Sequence, residues 1–115
     1  MAGYIITFRF AENETSNTRR QNFYDFVKDS NIEIEEQTTS TIICKTETPL
    51  CNTEENGFVN KLLKENQTRP NNNKILISED NILFVRIKNN KMLGLWRVKN
   101  LKIEEPTKIK QIFGS

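Results

Sequence analysis

The chain contains no histidine. That absence removes the side chain most used as a general base near neutral pH, the commonest nitrogen ligand for metals and every Ser-His-Asp arrangement. Only two cysteines are present, Cys44 and Cys51, and they lack the paired spacing of a zinc site. In a chain without an export signal they read as reduced thiols rather than a disulfide. No run approaches the ~18 apolar residues of a membrane span, so no membrane partner is expected. The start, Met1-Ala2-Gly3-Tyr4, has neither a basic region nor a long apolar core; a secretory signal is not expected there, and a cytoplasmic location is. Neither sign of charge dominates. The 17 basic and 15 acidic residues leave a net charge of +2, which neither demands nor excludes a nucleic-acid partner.

What is present describes one folded domain. The 115 residues fit a single core, and 28% charged against 36% hydrophobic residues is a globular balance. Residues 4–10 (YIITFRF) are β-branched and aromatic and alternate, a strand apolar on both faces at its start and so suited to the middle of a sheet. Ser16 or Asn17 caps a helix in which Phe23, Phe26 and Val27 form an i, i+3, i+4 stripe, and residues 29–31 end it. Residues 32–37 (IEIEEQ) alternate apolar with acidic, residues 38–40 turn, and residues 40–45 (STIICK) return, making a hairpin. A second helix opens near Thr53 and runs to about Asn66, burying Phe58, Val59, Leu62 and Leu63, with Gly57 weakening its first turn. After a polar loop, a short extended run at 74–77 and a turn at 79–81, residues 82–88 (ILFVRIK) and 92–98 (MLGLWRV) form a hairpin around Asn89-Asn90-Lys91.

The order strand, helix, strand, strand, helix, strand predicts an α+β fold, a ferredoxin-like sandwich with both helices on one sheet face. The last strand adds an extra C-terminal hairpin. Residues 1–98 form the domain and residues 99–115 a polar tail.

Three strings resemble the small CRISPR adaptation protein that partners the spacer integrase, with its VapD-type toxin and ferredoxin-fold endoribonuclease antitoxin relatives. They are Tyr4-Ile5-Ile6-Thr7-Phe8, Ser40-Thr41-Ile42-Ile43, and Asp80-Asn81-Ile82-Leu83-Phe84-Val85-Arg86-Ile87. The resemblance implies a homodimer, with the 82–98 hairpin at the dimer edge. It also implies association with nucleic acid or with a protein of a defence or toxin-antitoxin complex. Nuclease members of that family carry an aspartate at the end of the first strand, one per subunit, around a divalent metal such as Mg²⁺. Here that strand ends Phe8-Arg9-Phe10-Ala11-Glu12, so a cofactor is not expected, and Mg²⁺ enters only if the chain is a nuclease.

Two basic groups are candidates for nucleic-acid binding. Arg9, Arg19 and Arg20 flank the end of the first strand and the start of the first helix, where free N–H groups and the helix dipole favour a phosphate; the alternative is solvated surface charge, paired with Glu12 or Glu14. Arg86, Lys88, Lys91 and Arg97 surround Trp96, which offers a stacking surface or packs in the core. Asp25 and Asp29 share a helix face but sit beside Lys28. Glu33, Glu35 and Glu36 make an acidic strand that repels nucleic acid or meets a basic partner. Cys44 alternates inward as a small hydrophobe.

The function these readings favour is a non-catalytic dimeric binding or adaptor module. One alternative is an endoribonuclease using arginines, Tyr4 or Tyr24 and the hydroxyls of Ser40 and Thr41. The other is a mobile-element inhibitor of a host defence complex.

Overall fold

A computed structural model describes residues 2–47, 49–50 and 57–104. Strand β1 (Ala2–Arg9) leads into helix α1 (Ser16–Asp29), then the hairpin β2 (Glu33–Gln37) and β3 (Thr41–Thr46). Helix α2 (Phe58–Thr68) and a 3₁₀ turn at Asn71–Asn73 precede β4 (Asn81–Lys88), β5 (Lys91–Lys99) and β6 (Lys102–Glu104). The fold is α+β, as expected. The six strands among the described residues lie in the order β2-β3-β1-β4-β5-β6, every pair antiparallel.

Alternation in β1 decides the layers. Tyr4, Ile6 and Phe8 are buried and pair across with Cys44 and Ile42 on one side and with Phe84 and Ile82 on the other. Both helices close over this face. Phe23 of α1 meets Phe8 edge-on with centroids 5.2 Å apart, and Phe58 of α2 meets Phe84 at 5.9 Å. Val27 and Leu62 are wholly buried in the same cluster. The opposite face carries Ile5, Thr7, Ile43, Leu83 and Val85, and no described element lies over it.

Two asparagines hold residues 74–77, read from the sequence as a short extended run. Asn66, buried at the end of α2, accepts N–H bonds from Ile75 and Leu76 through Oδ1 at 2.8 and 3.0 Å and donates through Nδ2 to the Leu76 carbonyl at 3.0 Å. Asn22 of α1 donates to the Lys74 carbonyl at 3.0 Å. Lys74 is extended, and the segment is stapled to the helices rather than laddered to the sheet.

The tail expected at 99–115 begins as sheet. Two-residue turns with positive φ at both positions, Asn89-Asn90 and Asn100-Leu101, fold β5 onto β4 and β6 onto β5. This mirror-image turn matches the strand twist. The 82–98 hairpin is therefore not a bare edge: β6 covers Arg97 to Lys99 of β5. The expected start of α2 near Thr53, Cys51, and the end of the tail at 105–115 lie outside the described residues.

Candidate functional site: a basic rim at the end of the central strand

At the C-terminal end of β1 the sheet opens onto two adjoining hollows that share Arg9 and Ser40. The larger, of ≈ 500 Å³, is lined by Arg9, Glu12, Arg20, Thr39 and Ser40. The smaller, of ≈ 290 Å³, lies toward the helix-free sheet face and adds Thr7, Thr41, Asn81 and Arg97. Arg9 reaches this rim because odd residues of β1 point away from the helices. Thr7 pairs with Thr41, and Arg9 with Asn81, so the hydroxyls stand beside the guanidinium by register. The β2–β3 turn is fixed by Thr38 N–H to the Thr41 carbonyl at 2.8 Å and Phe8 N–H to the Ser40 carbonyl at 2.9 Å. Arg9 is exposed and makes no hydrogen bond or ion pair with the described residues, and the Thr39 and Ser40 hydroxyls are likewise uncommitted. Arg20 is half-buried and spends one Nη1 bond on Asn17, 2.8 Å. Glu12 forms no ion pair with either arginine among the described residues. The chemistry is that of an anion site, with two guanidinium groups and two hydroxyl donors around one concavity.

Arg19 does not belong to it. Its side chain is fully buried against Asp80, with Nε at 2.8 Å from Oδ2 and Nη2 at 3.2 Å from Oδ1. Nη1 bonds the side chains of Asn13 and Thr15, and Nη2 bonds the Ala11 carbonyl at 2.7 Å. All five donors are used, so no N–H remains for a ligand. Asp80 in turn accepts the Ala11 and Ile77 amides, both at 2.9 Å. This answers the metal chemistry implied by the family resemblance. A carboxylate does reach the end of β1, delivered by β4, but both its oxygens are taken by a buried arginine and two amides. Among the described residues no three His, Cys, Asp or Glu side chains group as metal ligands. Asp25 is occupied by Gln21, 2.9 Å, and Asp29 is exposed beside it.

The second expected cluster is divided by alternation. Trp96 is half-buried and packs against the core on the helix side. Arg86 lies on that same side, opposite Tyr4 and Gly94, with its Nε buried and unpartnered. Arg97 faces the other way and is paired with Glu104, whose hydrogen bond raises its pKa. Lys88 and Lys91 are exposed and face each other at the hairpin neck. Only Arg97 reaches the rim. Tyr4 is also removed from candidate chemistry: it is buried and its hydroxyl accepts the Leu50 amide at 3.1 Å. Tyr24 stays near the rim, lining a groove with Arg20, Thr38 and Thr39, with Lys28 over its ring at 5.4 Å. Cys44 is buried, and burial pushes its thiol up to about 11.

No family model, no curated protein and no solved structure matches the chain. The resemblance to the adaptation proteins therefore rests on the three short strings alone.

Thr7, Thr39 and Asn81 join the rim without having been singled out in the sequence. Their signal was positional: each adjoins the end of a strand that packs beside Arg9 only once the register is known.

Proposed function

We propose that the chain is a non-catalytic binding module that holds a phosphate-bearing ligand, nucleic acid in the first instance, at the Arg9 rim. The scaffold in this reading is a ferredoxin-like sandwich, β1 to β4 with α1 and α2, extended by β5 and β6; the antiparallel order of the strands supports it. The observation that carries the function is Arg9. It is a guanidinium with no partner among the described residues, beside a second arginine and two uncommitted hydroxyls.

The rim offers no histidine as a general base, Asp80 beside the end of β1 is committed to Arg19, and the carboxylate that lines the larger hollow is Glu12. Base stacking has no support either. The described aromatic side chains of the sheet, Tyr4, Phe8, Phe84 and Trp96, all face the helices. Binding would then read the phosphate backbone and not the sequence, with strong salt dependence.

Fluorescence anisotropy with labelled single-stranded RNA, single-stranded DNA and duplex DNA tests this across a salt series. Arg9→Ala should weaken binding uniformly across sequences and lower the salt slope by about 1. Lys61→Ala, on the far helix surface, should leave binding unchanged. Binding that survives Arg9→Ala intact, or no binding to any of the three, removes the proposal. Strand scission under these conditions, with or without Mg²⁺, removes its non-catalytic part.

A further inference from the structure

The larger hollow at the Arg9 rim continues onto α1. It shares Arg20 and Thr39 with a groove of ≈ 340 Å³ between α1 and the end of the β2–β3 hairpin, where Tyr24 and Gln37 join the lining. Arg20, Tyr24 and Lys28 stand four residues apart on α1. They therefore form one stripe along its surface, with roughly 12 Å of helix from first to last. Lys28 is exposed, forms no ion pair among the described residues, and sets Nζ 5.4 Å from the centroid of the half-buried Tyr24 ring. From the rim outward the order is guanidinium, guanidinium, aromatic ring, ammonium.

The acidic strand β2 is turned away from this path. Ile34 faces the helices, opposite the buried Cys44, and strict alternation from there would bring Glu36 to the same side. The bulge between Ile34 and Glu36 reverses that. Glu36 stands opposite Ile43, on the helix-free face, and neutral Gln37, opposite the buried Ile42, takes the place in the groove. Glu33 pairs with Lys45 on the helix-free face, and Glu35 is held by Lys45 at 2.8 Å. Asp25, on the neighbouring stripe of α1, accepts the Gln21 amide at 2.9 Å.

We propose that the nucleic acid held at the rim is a single strand, and that it leaves Arg9 along this stripe, with phosphates at Arg9, Arg20 and Lys28 and one base stacked at Tyr24. The inference rests on the binding reading above. The sheet's own aromatic side chains face its helices and bring no stacking surface to the rim; α1 supplies one about a turn beyond Arg20. A base meets that ring only when it is free of its pairing partner, which a duplex does not offer. Such a contact accepts any base, in keeping with a rim that holds phosphate. At about 3.4 Å per stacked nucleotide, the stripe spans roughly three or four.

Fluorescence anisotropy of the full chain with labelled single strands of increasing length, and with duplexes of matching length, tests this. Affinity for single strands should rise to about six nucleotides and then level off, and should exceed that for the duplex. Tyr24→Leu, which keeps apolar bulk, should weaken single-strand binding about 5- to 100-fold with the salt slope unchanged, since a phenol carries no charge. Tyr24→Phe should bind as the native chain does. Lys28→Ala, at an exposed position, should lower the slope by about 0.7. A strand containing 2-aminopurine should lose fluorescence on binding the native chain and keep it with Tyr24→Leu, whose fold is checked by circular dichroism. Duplex bound as tightly as single strand overturns the proposal. So does native affinity and native quenching with Tyr24→Leu, or a salt slope indifferent to Lys28→Ala. In each of these cases the rim stands if Arg9→Ala still weakens binding. No binding of any oligonucleotide removes the rim and the stripe together.

Discussion

Replacing Asp80 with alanine should be among the most damaging single changes available in this protein. The substitution leaves the Arg19 guanidinium buried, with Nε and one Nη2 hydrogen unpaired, and strips acceptors from the Ala11 and Ile77 amides. Removing one partner of a buried pair costs about 3–5 kcal/mol. A domain of this size holds about 5–15 kcal/mol in all. With a urea slope of about 1.5 kcal/mol per M, the midpoint should fall by roughly 2–3 M. Arg19→Met should cost a similar amount by stranding the carboxylate. The informative variant is the double one, Arg19→Met with Asp80→Ala. Once the first charge is gone, removing the second should cost little more, so the double variant should be far less destabilised than the sum of the singles. Equilibrium urea unfolding followed by circular dichroism gives all three values. Additive single effects, or an Asp80→Ala cost below about 1 kcal/mol, would refute the assignment of this pair as the tie between α1 and β4.

Three other outcomes are expected. Asn66→Ala orphans three buried backbone groups of residues 75–76, at about 1–3 kcal/mol each; hydrogen exchange should show the Ile75 and Leu76 amides losing protection, and Asn66→Asp, which keeps the acceptor, should preserve it. Cys44 holds its proton in the fold up to about 11, above its ordinary 9.0. The stability it contributes is therefore complete below pH 9 and lost as pH rises toward 11; Cys44→Ala should flatten the urea midpoint over that window, and an unchanged slope would contradict it. Leu101 has φ 58°, a region costly for a side chain with a Cβ, so Leu101→Gly should raise the melting temperature by the equivalent of about 0.5–1 kcal/mol.

The parts of the fold visible in the sequence are those governed by short periods. The inward stripe of β1, the Phe23–Val27 face of α1 and the Asn89-Asn90 turn each declare themselves within a few residues. β6 did not, because a leucine at the second turn position is a poor turn signal and only the docked strands hold it there. The bulge between Ile34 and Glu36 was hidden for a related reason: strict alternation reads straight through it. At the candidate site, Arg9 was legible as a charge at a strand end. Arg19 was misleading, since its partner lies 61 residues away and no local pattern links the two. Trp96 and Arg97 part on simpler grounds, since neighbours along a strand point to opposite faces.

The Arg19–Asp80 tie also sets a schedule for the chain during synthesis. β1, the strand between β3 and β4, leaves the ribosome before the other described strands, yet one of its edges stays open until β4 arrives about seventy residues later. Until then α1 carries a guanidinium whose buried carboxylate partner has not been made, so docking the helix through Phe23 leaves that charge without its acceptor. The domain should therefore fold late and in one step once Asp80 emerges, since long-range pairing must precede its reward. A nascent chain stalled before residue 80 should remain open to protease, and one released after β5 should not.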